Sequence, residues 1–190
     1  FIVFGVGAAN GASLTGALFY LIHDIIAKAW IFILGAAIIA IAGTDRLREM
    51  KGLIRYRPLL GWLFFLAALA IGGVPPLSGF AGKAFILAGG LERGYVLMAV
   101  IGLLTSLLAL YSLMKVFIQC FWGETLLNEG EQKDSGAAAL PPGMLLAAAA
   151  VGLGIGAEGV VPLIESAVAT MLNPAEYIEA VLGEGGANRP

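Results

Sequence analysis

Lys83 is the residue whose neighbours in the sequence point most sharply to chemistry. It lies within about two helical turns of GGVPPLSG (72–79), inside an otherwise apolar segment that runs from Pro58 to Leu91. Pro75 and Pro76 remove two backbone donors, and their rings clash with the preceding turn. Gly72, Gly73 and Gly79, with Ser78 between them, loosen the same stretch further. Non-helical backbone in apolar surroundings survives where protein buries it or where it lines a watery cavity. A lysine desolvated beside such a break is suited to load and release a proton. The alternative is a simple proline kink, with the lysine reaching along its alkyl stem to a polar boundary.

A second group sits earlier in the chain. Asp24 and Lys28 are four residues apart, so on a helix they are neighbours, and Asp24 can hold the charged form of Lys28 while burial opposes it. The same pair can equally serve only to lock two helices together. His23 points roughly 100° away from Asp24 and titrates near neutrality when unperturbed, which suits a proton relay as well as it suits a hydrogen-bonded packing role. Lys115 stands about two turns from the end of its segment, close enough to reach out to a polar boundary. Thr105, Ser106, Tyr111 and Ser112 on that segment can hold waters or bond to neighbouring helices. No metal-ligand spacing of His, Cys or carboxylates occurs, and the single cysteine, Cys120, reads as apolar filler, so neither a metal nor a cofactor is expected.

The elements that must position these groups are membrane helices. Charged residues make up 13% of the chain against about 25% in soluble domains, apolar residues make up 59%, and the mean hydropathy is +0.92. The apolar residues come in runs long enough to cross a bilayer. The class is therefore an all-α polytopic membrane protein. The organisation expected is a transmembrane region over 1–157 and an amphipathic tail over 158–190. Residues 1–9 are too short to span and read as the end of a helix whose beginning lies upstream, in a longer chain of which this is the C-terminal part. Four spans follow, at about 13–42, 58–91, 95–122 and 141–157.

The loop 44–57 holds Arg46, Arg48, Lys51, Arg55 and Arg57, the densest cationic cluster, and is expected on the cytoplasmic side. Alternation then puts 123–139 inside and the C-terminus outside. In the tail, NPAE (173–176) has the form of a helix start, with Asn173 as cap and Pro174 in the first turn. Tyr177, Ile178, Val181 and Leu182 would share one face, suited to docking on a neighbouring subunit because the polar face lacks the lysines that anionic lipids attract.

FYLIHDIIAKAWIFILG (19–35) and WLFFLAALAIGGVPPLSGFAGKAFILAGG (62–90) together resemble the antiporter-like membrane subunits shared by respiratory complex I and the Mrp-type sodium/proton antiporters. NPAEYIEAVL (173–182) and YSLMKVFIQCFWGE (111–124) resemble most the D-type subunits of the Mrp branch. The resemblance implies a fourteen-helix subunit with two inverted five-helix repeats, of which this chain holds the end of the tenth helix and the last four. It implies that 58–91 is the second discontinuous helix, that Lys83 falls on its proton-transferring position and that Lys28 matches a lysine of the central hydrophilic axis. Some relatives carry histidines where this chain has Tyr20 and Asp24, so a histidine relay does not follow directly.

The function this implies is that of a membrane subunit of a multisubunit sodium/proton antiporter, in a bacterial plasma membrane. Its expected partners are the other subunits, the lipid bilayer and the transported protons and sodium, with no nucleic acid. The alternatives are a proton-translocating subunit of a complex I-like NADH-quinone oxidoreductase or hydrogenase, and a purely structural or assembly subunit.

Overall fold

The computed structural model describes residues 1–123 and 138–173, together with 175 and 181. Most of the acidic loop expected at 123–139 and most of the tail helix expected after Asn173 lie outside the described residues. Among those described the chain is helical, with no strand. The elements are α1 (Ile2–Ala8), α2 (Gly11–Ala42), a 3-10 turn (Leu47–Glu49), α3 (Leu53–Tyr56), α4 (Pro58–Gly72), α5 (Ser78–Glu92), α6 (Val96–Phe121), α7 (Leu140–Ile155) and α8 (Ala157–Leu172).

Two helices, α2 and α6, are long and apolar enough to cross a membrane on their own. At 1.5 Å per residue α2 is about 48 Å long, well beyond the hydrocarbon core of about 30 Å. By the same measure α4 and α5 are about 22 Å each, so neither spans alone; residues 73–77 interrupt them. α7 and α8 form a second bent pair, turning by 76° at Gly156. α8 is a helix lying against α2, its Ile164 and Val168 packed on Phe19, while Glu158 and Glu165 stay exposed.

The main core lies between α2, α4, α6 and α7. Trp30 and Leu34 meet Leu60 and Phe64, and Phe121 closes the layer 5.8 Å from the Phe64 ring centre. Met50 and Leu53 of the basic loop are fully enclosed in the same cluster, which ties the loop to one end of the bundle.

Small residues decide how closely the site-bearing helices approach, since lipid offers no hydrophobic drive for helices to associate. The α2–α5 seam brings backbone against backbone. A Cβ added to Gly16 would stand 2.6 Å from the Ile86 nitrogen, and one on Gly82 2.9 Å from the Tyr20 Cα. The seam is pinned at one end by Asn10, which caps α2 by accepting from the Ser13 N–H at 2.8 Å and donates to the Gly89 carbonyl of α5 at 2.9 Å. Close approach along this seam holds Lys83 against α2.

Candidate functional site

The site is built on the break between α4 and α5. A helix leaves its last carbonyls without intrahelical partners. Here Gly73 turns left-handed at φ 84°, and its N–H and that of Val74 return to the carbonyls of Leu69 and Ala70. The next two carbonyls, of Ile71 and Gly72, are taken by a side chain from the other half of the broken span. The Lys83 ammonium donates to Ile71 at 2.7 Å and to Gly72 at 3.0 Å. A cation at the C-terminal end of α4 also complements the partial negative charge there. Gly73 is required twice over: its backbone sits where side chains rarely go, and a Cβ would lie 2.9 Å from Lys83 Cδ.

Lys83 is 7% exposed, so it is enclosed by protein rather than reaching out to a boundary. Its ammonium lies 5.1 Å from the centre of the Phe1 ring and 5.8 Å from that of Tyr20, within the range of cation–π attraction. An ammonium has three donors. Two are committed to carbonyls, and no third hydrogen bond is made among the described residues.

His23 belongs to the same break. It is 1% exposed, and its Nδ1 is 2.8 Å from Ser78 Oγ at the first turn of α5. A Cβ on Gly79 would lie 2.9 Å from the other ring nitrogen and would also run into the Ala70 carbonyl, so glycine is what lets the two half-helices and the imidazole meet. Tyr20, one turn back on α2, places its ring 5.3 Å from that of His23. From outside, Gly154 at the end of α7 presses on the backbone of Pro76 and Ser78, bracing the interruption.

Lys28 stands on another face of α2 than His23. It pairs with Asp24 at 2.7 Å, but its side chain is 63% exposed on this chain and that of Asp24 25%. The reason is helical geometry. The buried stripe of α2 runs through Phe19, His23, Ala27, Trp30 and Leu34. Position 28 is one step of about 100° off it. Lys28 also stands eight residues beyond Tyr20, about 12 Å along the axis, so the structure does not bring it to Lys83. Lys115 is exposed on α6 and makes no ion pair with a described residue. Among the described residues no cluster of His, Cys, Asp and Glu suits a metal ion.

Four participants escaped sequence reasoning: the Ile71 carbonyl, the Gly72 carbonyl, the Tyr20 ring and Phe1. Tyr20 carried a usable signal, since it stands three residues before His23 and thus on the same face. The carbonyls carried none in their side chains.

Residues 1–109 match the family described as "NADH:quinone oxidoreductase/Mrp antiporter, TM". The chain is 43% identical over 183 residues to the D-type Na(+)/H(+) antiporter subunit of Bacillus subtilis, and 39% identical over 185 residues to that of Alkalihalophilus pseudofirmus. These alignments cover 96% and 97% of the chain but only 37% of each relative, so the chain spans a little over a third of their length. Among solved structures, a chain of the Mrp complex from a Dietzia species superposes with a TM-score of 0.85 at 28% identity, over 96% of this chain and 42% of that one. A chain of respiratory complex I from Thermus thermophilus, with bound aureothin, gives 0.58 at 27% identity over 85% and 36%.

Proposed function

This chain belongs to the NADH:quinone oxidoreductase/Mrp antiporter transmembrane family and is part of a multi-pass membrane protein, and from that premise we propose that it serves a multisubunit sodium/proton antiporter as a proton-conducting subunit. Lys83 is the proton-exchanging group. The observation that carries this is the hanging of its ammonium from two helix-end carbonyls with one donor position left over. A neutral amine keeps two N–H donors and a lone pair. Lys83 can therefore give up and regain one proton at the third position while both carbonyl bonds stay in place.

The proton reaches Lys83 along α2. Tyr20, His23, Asp24 and Lys28 succeed one another along that helix, and waters between them complete the route towards the exposed Asp24–Lys28 pair. An ammonium at mid-span costs about 2.5–3.5 kcal/mol or more when it faces lipid. The Lys28 face therefore turns to protein or water supplied by the remainder of the assembly. Lys115, on the outer face of α6, is a subsidiary member of the same set. The basic loop, with exposed Arg46, Arg48 and Arg55, lies on the cytoplasmic side of a bacterial plasma membrane, and the C-terminus lies outside.

Sodium-driven ΔpH collapse in inverted vesicles tests the reading, using the full-length protein with its partner subunits in cells lacking their own sodium/proton antiporters. Lys83→Ala should abolish the exchange while the complex still assembles. Full exchange by that variant would overturn the relay. The likeness to complex I favours one second reading, in which redox energy drives the same path; NADH-driven, sodium-independent proton pumping would support it over the first.

A further inference from the structure

The inner face of α6 offers Lys83 a partner that neither the family match nor the relatives' names assign. Residues turned towards the bundle recur on this helix at Ala99, Gly102, Ser106, Leu110, Leu113 and Phe117. Its hydroxyl-bearing residues behave differently from one another. Thr105 donates to its own helix, to the Ile101 carbonyl at 2.6 Å and that of Gly102 at 3.0 Å. Tyr111 and Ser112 face outward. The Ser106 hydroxyl is buried and has no hydrogen-bond partner among the described residues. Leaving such a group unpaired costs about 1–3 kcal/mol, which an apolar residue at this position would avoid.

Its height in the bundle is fixed by its neighbours one turn away. A Cβ on Gly102 would lie 3.3 Å from Phe1 Cζ, so that turn of α6 rests on the Phe1 ring. The Leu110 side chain lies 3.0 Å from where a Cβ on Gly72 would stand. The Lys83 ammonium sits between the same two landmarks, 5.1 Å from the centre of the Phe1 ring and 3.0 Å from the Gly72 carbonyl. Ser106 occupies the turn between Gly102 and Leu110, about 6 Å along the axis from each. The unpaired hydroxyl and the unpaired donor position of Lys83 thus stand at the same level of adjoining helices.

We propose that Ser106 is the station that receives the proton leaving Lys83, reached through a bridging water. This rests on the relay reading of Lys83. The third N–H of the ammonium passes its proton to the water, the water passes one of its own to Ser106 Oγ, and the hydroxyl releases its original proton to the next water beyond. Lys83 is left as a neutral amine still bonded to both carbonyls. The bridging water and the hydroxyl each end with as many protons as they began with.

The test measures sodium-driven ΔpH collapse for the full-length protein in its assembled complex. Ser106→Ala should slow exchange about tenfold or more, Ser106→Thr should restore most of the rate, and Thr105→Val should leave it unchanged. A packing role predicts the reverse order, with alanine tolerated and the larger threonine damaging, and that result overturns the proposal. Should Ser106→Ala reduce assembly, Ser106→Val against Ser106→Thr makes the same comparison at matched shape: slow exchange by valine alone supports the station, and equal rates overturn it. Full exchange by Ser106→Ala alongside loss in Lys83→Ala removes Ser106 and leaves the Lys83 relay standing. Full exchange by Lys83→Ala removes both.

Discussion

Lys83 and Lys28 are the same residue type, each well inside an apolar segment, yet their surroundings are opposite. Lys83 is enclosed, makes no ion pair with a described residue and hangs from two backbone carbonyls beside two aromatic rings. Lys28 is exposed on this chain and held by a carboxylate one turn back on its own helix. The difference shows what a broken helix adds. An intact helix has no carbonyls to lend, so a lysine on it needs an acid nearby. An interrupted one presents uncommitted carbonyls that hold an ammonium without a formal negative charge.

The largest effect that tests this contrast is at Lys83 itself. Lys83→Ala should lower sodium-driven proton exchange by about a hundredfold or more, the order a positioned proton-transfer group contributes. Lys28→Ala should cost less, because Lys28 lies off the break, about 12 Å along α2 beyond Tyr20. Equal losses measured side by side in inverted vesicles would erase the distinction between the two sites. Gly73→Ala comes next. It forces a side chain into the left-handed region, costing about 1–2 kcal/mol, and its Cβ would press on Lys83 at 2.9 Å. Exchange should fall about tenfold with a lowered thermal midpoint; an unchanged rate would mean that the carbonyl cradle is not what positions the ammonium.

Ser78→Ala probes the break from its other side. It leaves His23 Nδ1 buried without its 2.8 Å partner, which should cost about 1–3 kcal/mol in thermal or denaturant unfolding. If His23 passes protons, exchange falls together with stability. If His23 only packs, stability falls alone, and the route from α2 must run through Tyr20 and water.

The all-helical membrane class was legible because runs this long and this free of charge are what a bilayer demands and more than a soluble core can bury. The break was legible because two adjacent prolines flanked by glycines interrupt such a run. That Lys83 would be enclosed, and by what, was not. Its partners are main-chain oxygens, which every residue carries, so nothing marked Ile71 and Gly72 as the acceptors. Exposure of Lys28 was hidden for a different reason. Apolar residues surround α2 on every side, so periodicity does not mark which stripe faces the bundle. The buried face is set instead by where Gly16 meets Ile86 and where Phe19 meets α8, contacts that only the fold supplies.

The smallest effect is expected at the exposed pair, and it separates a link of geometry from a link of chemistry. Reversing the charges, Asp24→Lys with Lys28→Asp, keeps an i,i+4 ion pair on the same face of α2. Helical i,i+4 ion pairs are worth about 0.3–0.5 kcal/mol, with the order of the two charges mattering slightly, so the unfolding midpoint should barely move. Exchange is the informative readout. If the pair only anchors α2 to a neighbour through its net neutrality, the reversed chain should run at the wild-type rate. If Lys28 is the group that hands protons towards His23 and Lys83, the reversal sets the ammonium a turn closer to His23 and the carboxylate a turn further away. The rate should then change several-fold while stability stays constant. A change in rate without a change in stability would put Lys28 on the path with Lys83; no change in either would leave Lys83 as the proton-carrying lysine of the two.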